Sequence, residues 1–398
     1  MTVQPSTAQR PGPLQGIRVL DFTAMLAGPH CARLMADLGA EVIKIEGLEG
    51  DLIRSRPPLR DGNSTYFGAL NCGKKSLAIN LKTKAAKDII YRLTKVSDVV
   101  VENFRPGVMA RLGFDYATLS KHNPKLVYCS ISGYGQTGSG ATRAAYAPII
   151  HAASGFDAAN LTYQTGQDTP ASTGIFTADI LSGAYAFGAI QAALVHRERT
   201  GEGQAVDVAL MDSMLNLLVF ECQEAQFPSQ RPRPVYVPMK STDGHVIIAP
   251  ISQKNFEQMA EAMQQLELKA DARFATGSAR VEHWKELMAV MEQWTRRHSS
   301  AEIESIMDAN GVPCSRFVTV ADAMRDTQLT ERGSLSRVKD AAGEFIVPNA
   351  PFQFTIPTAA GPTVAALGAD NTNVLSDILG ISPLEIDALQ EQGVLSNQ

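Results

Sequence analysis

The sequence predicts an α/β protein: a large domain built on a parallel sheet, followed by a smaller α+β domain. Three observations carry this. From Ile17 to Leu210, short apolar runs alternate with segments of helical periodicity, the pattern of repeated βαβ units. Composition then shifts at Phe227–Pro238, where four prolines fall within twelve residues. Beyond that break, one strand-like run is followed by amphipathic helices. At 398 residues, with 44% apolar and 19% charged side chains, the chain is long enough for two domains with proper cores. The expected division is a flexible tail at 1–13, a large domain at 14–226, a small α+β domain at 227–330, and a C-terminal segment, 331–398, returning to the large domain.

Taken in order, Ile17 to Asp21 is a short apolar run and reads as a buried strand. Ala24 to Pro29 makes a turn, and Pro29 suits the first turn of a helix. His30 to Leu38 carries Cys31, Leu34, Met35 and Leu38 at helical spacing, and Gly39 stops it. Glu41 to Glu46 is a second strand, completing a βαβ unit. Thr83 to Val96 has helical periodicity, Asp98 to Glu102 is a buried strand, Tyr116 to His122 a helix, and Lys125 to Ser130 a strand. Gly133 to Pro170 reads as a Gly-rich, polar loop region. A long helix starts near Asp179, with Ile180, Ala184, Phe187, Ile190 and Leu194 sharing an apolar face. Gly201-Glu-Gly203 ends it, and Gln204 to Leu210 resumes as a strand. In the second part, Gly244 to Pro250 reads as a strand, with helices at Asn255–Met263, Trp284–His298 and Ala301–Asn310. A final helix spans Pro383 to Gln390.

Several function classes are disfavoured. The formal charge is −5 with acids and bases interspersed, whereas nucleic-acid binding needs a clustered basic face. The five cysteines are scattered and never in a CxxC arrangement, so neither a disulfide framework nor a zinc site is expected. Met1 to Pro13 has no apolar core of a signal peptide, and no apolar run approaches ~20 residues, the length of a membrane span. The expectation is a cytoplasmic protein with no nucleic-acid or membrane partner and no metal.

Two motifs are traps. Gly133-Tyr-Gly135-Gln-Thr-Gly138 satisfies GxGxxG, but a dinucleotide site needs a helix opening at once, and Ser139 onward reads as loop. Gly68 to Ser76 nearly spells a phosphate-binding loop, yet Lys75 stands where the Ser/Thr belongs and Leu77 to Leu81 reads as a strand. Lys74 and Lys75 remain as cations near a phosphate or, more simply, as surface charges. No GxSxG elbow and no HExxH occur.

Four separated stretches together resemble the class III CoA-transferase family, the group containing formyl-CoA transferase, carnitine CoA-transferase and α-methylacyl-CoA racemase. The first runs from Pro13 to Thr23, with Ala27-Gly-Pro29, Ala36 to Glu46 and Gly50-Asp51. The second is Asn71, Lys74-Lys75-Ser76, Val101-Glu-Asn103-Phe-Arg-Pro-Gly107 and Arg111-Leu-Gly113. The third is Gly174, Asp179, Arg197 to Gln204 and Asp212. The fourth is Gly311-Val-Pro-Cys314, Ala350-Pro-Phe352, Leu367-Gly368 and Thr372 to Leu375. Each piece is unspecific; their order and spacing are not. The resemblance implies a Rossmann-like large domain, a smaller second domain and an interlocked homodimer. It implies a CoA-transferase acting on acyl-CoA and small carboxylic acids, with no tightly bound cofactor and coenzyme A entering as substrate. The nucleophile falls on Asp179. The CoA-contacting positions fall on Met25 and Leu26, on Ile79, Asn80 and Lys82, on Asn103, Phe104 and Arg105, on Arg111, and on Arg143 to Tyr146.

By residue type alone, Asp179 is an ordinary helix-start aspartate, where carboxylates satisfy free amides and offset the dipole. The same place favours the ionised form, and only that form attacks a thioester. The implied route is an aspartyl anhydride followed by an aspartyl-CoA thioester. Arg105 and Arg111 are candidate phosphate partners, and Arg143, Lys240 and Arg233 candidate carboxylate clamps. Within the family, Leu26 and Ala147 stand where oxalate-specific members carry glutamine and glutamate, and their glycine run is missing, which disfavours formyl/oxalate exchange. Tyr146 stands at the histidine of the racemase branch and is a poor base at neutral pH. An acyl-CoA racemase, or a non-catalytic CoA-binding protein, is the alternative. His151, five residues on, is either an acyl contact or a structural histidine.

Overall fold

The computed structural model describes residues 12–164, 166–170, 173–230, 233–356, 358 and 361–396. The expected tail at Met1–Pro13 lies outside these residues as far as position 11. The chain forms two compact units, one running to Val219 and resuming at Leu329, the other spanning Phe220–Gln328.

The larger unit is built on six parallel strands: β1 (Arg18–Asp21), β2 (Glu41–Glu46), β3 (Lys75–Ala78), β4 (Val99–Glu102), β5 (Val127–Ser132) and β6 (Gln204–Ala209). Their order across the sheet is β3-β2-β1-β4-β5-β6. This is the doubly wound arrangement, with the order reversing between β1 and β4. The inner strands read as apolar runs because both faces are covered. Successive side chains alternate sides: Val19, Val99, Val101, Val127 and Cys129 enter one core, while Leu20, Ile43, Val100 and Tyr128 enter the other.

Helices α1 (Ala27–Asp37) and α6 (Thr177–Thr200) cover the first face. On the second face lie α3 (Lys84–Lys95), capped by Thr83, and the C-terminal residues Val374, Leu375, Ile386 and Leu395. The chain end is pinned there, since Asn80 donates its amide to Val394 O at 2.8 Å. Between β2 and β3, α2 (Thr65–Asn71) carries Phe67 and Leu70 against Leu26 and Ile53.

Three expectations need correction. The stretch 133–170 is not all loop: it holds α4 (Ala147–Ala153) and α5 (Phe156–Thr162). Its Ala-rich composition gave no clear apolar stripe, so tertiary contacts decide the helices: α4 packs on α6, and α5 on α4. The inward face of α6 is also different. Ala178, Ser182, Gly183, Ala186, Ile190, Ala193 and Leu194 are buried, while Ile180 is 40% exposed and Ala184 is exposed. Small residues face α1 because the helices approach closely; a Cβ on Gly183 would lie 2.5 Å from Ala27 O. Finally, α6 is long and apolar enough, by length and composition, to cross a membrane. That overturns the count of no apolar run near ~20 residues. Here the helix packs on α1, β5 and β6, which accounts for its apolar inner face.

The smaller unit has a three-stranded antiparallel sheet, β7 (Met239–Lys240), β8 (His245–Ile248) and β9 (Cys314–Arg316). Helices α7 (Gln253–Ala262), α8 (Trp284–Thr295) and α9 (Ser300–Ala309) bury Phe256, Met259, Leu287, Met291, Trp294, Ile303 and Met307 against it.

Candidate active site

Ligands of doubly wound sheets bind beyond the carboxyl ends of the strands, where the strand order reverses. At that point the chain leaves β1 through Phe22–Leu26, and Met25 adopts φ +68°. A left-handed non-glycine residue costs about 1–3 kcal/mol and persists only when its surroundings over-determine it. Here they do. The Asn103 side chain, just past β4, accepts from Ala24 N–H and donates to Ala24 O, both at 2.8 Å. Asp51 accepts from the Met25 amide at 3.3 Å, Asp21 from the Thr23 amide at 2.9 Å, and Lys44 donates to Thr23 O at 2.8 Å.

Beneath this loop runs a buried charge network. Lys74 donates to Asp21, Asn71 and Pro29 O at 2.8, 2.9 and 3.0 Å. Burial pulls the Lys74 amine down to about 8, with Asp21 opposing. Burial pushes the Asp21 carboxyl up, but Lys74 and Lys44 more than offset this and hold it below the ordinary range. Lys74 is therefore structural, and neither sequence reading of it holds: it is no surface charge and no phosphate ligand. Lys75 pairs with Glu41 at 2.6 Å, at the amino ends of the strands.

The predicted contact positions emerge around the same edge. Met25 and Leu26 follow β1; Ile79, Asn80 and Lys82 follow β3; Asn103, Phe104 and Arg105 follow β4, with Arg111 on the next helical turn. Arg143 to Tyr146 lie between β5 and α4. Leu26 and Ile79 are buried, and the Ile79 amide donates to Glu46 O at 2.8 Å, so the chain does not present Ile79 to a ligand. Lys82, Arg105, Arg111, Arg143 and Tyr146 are exposed. Arg143 lies over the Tyr134 ring at 4.4 Å. Lys240 and Arg233 belong to the smaller unit, where Arg233 pairs with Glu221 and lies over Phe220. A cavity of about 560 Å³ lined by Arg332, Ser334, Asn349, Phe352 and Phe354 includes neither Asp179 nor any predicted contact.

Asp179 is the third residue of α6, in its first turn. Burial pushes its carboxyl up to about 6. The helix start was expected to favour the anion; desolvation outweighs it. The group still carries its charge at neutral pH, but with a poor water shell. The neighbouring amide of Ala178 donates to His151 Nε2 at 3.1 Å.

Two residues escaped the sequence reading. The Tyr66 phenol is pushed up by burial and then by the carboxylates of Asp179 and Asp51, which puts it in electrostatic reach of Asp179. Glu102 ends β4 and accepts from the Phe104 amide at 2.8 Å, and burial raises its carboxyl to about 7. The signal for Glu102 was present: a charged residue closing the otherwise apolar run Val99-Val-Val-Glu102.

The profile of CoA-transferase family III matches residues 14–371. The chain is 35% identical to a succinate–glutarate CoA-transferase of Agrobacterium fabrum, over 81% of this chain and 84% of that protein. It is 33% identical to a succinyl-CoA–D-citramalate CoA-transferase of Chloroflexus aurantiacus, over 98% and 100%. Among solved structures, a CAIB/BAIF family protein from Brucella suis superimposes with a TM-score of 0.79 at 32% identity, covering 93% of this chain and 100% of that one. Rv3272 from Mycobacterium tuberculosis gives 0.80 at 30% identity, over 91% and 98%. The fold, the ordered motifs and the extent of these matches lead to one assignment: this chain belongs to CoA-transferase family III.

Proposed function

We propose that this protein moves coenzyme A from a dicarboxylic acyl-CoA, succinyl-CoA first, to a second small carboxylic acid, with Asp179 as the nucleophile. The observation that carries the reading is a half-buried carboxylate in the first turn of α6, its pKa raised to about 6 by desolvation alone. A dehydrated carboxylate is a stronger nucleophile than a hydrated one, and it is still ionised at neutral pH. The donor class is supported by the relatives, several of which are named for succinyl-CoA.

An Asp179 oxygen attacks the thioester carbonyl carbon, the C–S bond breaks, and CoA leaves as the thiolate. The thiolate then attacks the aspartyl carbonyl of the mixed anhydride, releasing the first acid as its carboxylate. The second acid's carboxylate attacks the resulting aspartyl-CoA thioester, forming a new anhydride and freeing the thiolate again. Attack of that thiolate on the acyl carbonyl yields the new acyl-CoA and restores Asp179. No proton or water is consumed, so the thioester energy is conserved. Candidate acceptors for the developing oxyanion charge are main-chain amides near Gly133 to Gly140.

The reading includes an interlocked homodimer acting in the cytoplasm. Supporting the assembly, α6 and the residues after it leave Ile180, Tyr185, Val195, Leu215, Leu217 and Val219 at least 40% exposed in the single chain. Five free cysteines, three of them buried, fit a reducing compartment.

The test is a matrix of acyl-CoA donors against free acids, read by mass spectrometry. Succinyl-CoA with a five-carbon dicarboxylate is expected to exchange, and Asp179→Ala to abolish exchange while still binding CoA. Full turnover in Asp179→Ala, or deuterium entering the α-carbon without exchange, would refute the transferase.

A further inference from the structure

We propose that His151 is a positioning residue for the nucleophile: its imidazole caps the helix that presents Asp179 and fixes that helix's first turn. The inference rests on the reading of Asp179 given above. Several helices of this chain are capped by the usual device, a Ser or Thr hydroxyl at the helix start. Ser64, Thr83, Ser252, Thr276, Ser299 and Ser382 each accept from an amide of the following turn. Helix α6, like α1, α4, α5 and α8, lacks such a cap. Its flanking residue is Phe176, which has no side-chain acceptor, at φ −83° and ψ 69°.

Three amides at the start of the helix are satisfied in other ways. Thr177 reaches Ile175 O at 2.9 Å and Ile180 closes on Phe176 O at 3.2 Å. The Ala178 amide, adjacent to the nucleophile, is taken by His151 Nε2 at 3.1 Å in a fully buried contact. This acceptor comes from α4, 27 residues upstream. It supplies what a Ser or Asp would supply locally, without placing a hydroxyl or a second negative charge beside Asp179.

The remainder of the ring describes the same role. His151 is 1% exposed and packs on Phe156, with centroids 5.3 Å apart. With Nε2 accepting, the neutral ring carries its proton on Nδ1, and that atom is buried with no hydrogen-bond partner among the described residues. An apolar side chain of similar size would pack there without that unpaired donor. Only the acceptor atom calls for an imidazole. Because Ala178 immediately precedes Asp179, freeing its amide lets the first turn fray and the carboxylate wander, and small misplacements of a reacting group are costly to rate.

The experiment compares His151→Leu, His151→Gln and Asp179→Ala, measuring kcat, KM for the acyl-CoA and CoA affinity. His151→Leu keeps bulk but loses the acceptor; His151→Gln restores an acceptor oxygen. The expected result is a kcat lowered about 10- to 100-fold in His151→Leu, with KM within about threefold of wild type. His151→Gln should recover kcat to within about threefold. If His151→Leu does not fold, His151→Met carries the same arm. Wild-type kcat in the acceptor-less variant, or an equal loss in His151→Gln, overturns the inference while Asp179→Ala stays inactive. An active Asp179→Ala instead overturns the nucleophile on which it rests.

Discussion

Asp179 sits between two opposing influences, a helix start that favours the anion and a buried setting that disfavours it, and burial prevails. Two consequences follow for pH. Since only the carboxylate attacks, kcat/KM for the acyl-CoA should be flat above pH 7. It should fall about tenfold per unit well below pH 6, in a profile taken across pH 4.5 to 8. A flat profile through pH 5 would contradict the assignment. Stability should move the other way. The folded carboxyl titrates near 6 against 3.8 unfolded, so the native state binds the proton more tightly, and the ionised group destabilises the fold at neutral pH. That cost disappears as pH falls through about 6 towards 4. Asp179→Asn is therefore expected to raise Tm at pH 7.5, with an advantage that shrinks on acidification. A constant difference would show that desolvation is not the cause. Asp179 stood out as a candidate nucleophile only through the family's ordered motifs, because its residue type and position also describe an ordinary helix-start aspartate. His151 was not legible as a cap, since the contact joins residues 27 apart and depends on how α4 packs on α6.

The elements were legible where burial is uniform and obscure where it is not. Strands β1 and β4 announce themselves as short apolar runs covered on both faces. Helix α6 is apolar nearly all round, so no stripe marks its inner face, and the sequence favoured large residues where the packing selected small ones. Gly183 shows why: the α1 main chain occupies the space a side chain would need. Gly183→Ala should force the helices apart at a cost of about 1–3 kcal/mol, read as a lower Tm. It should also lower kcat, because Asp179 lies one turn away. Unchanged stability would mean that the close approach is not a constraint.

The large unit gathers its candidate contacts at the edge where the strand order reverses, and this is visible only once the sheet is assembled. Asn103 illustrates the difference: expected from the resemblance to contact a ligand, its side chain is engaged in clamping Ala24. The exposed apolar side chains along and beyond α6 predict a stable dimer. Sedimentation at micromolar concentration should return twice 42.8 kDa; a monomer would remove that part of the proposal. The central claim concerns chemistry at one carboxylate. Incubation with succinyl-CoA and hydroxylamine, followed by peptide mass spectrometry, is predicted to place a hydroxamate on Asp179 and on no other acidic residue. An unmodified Asp179 in protein that is turning over would contradict it.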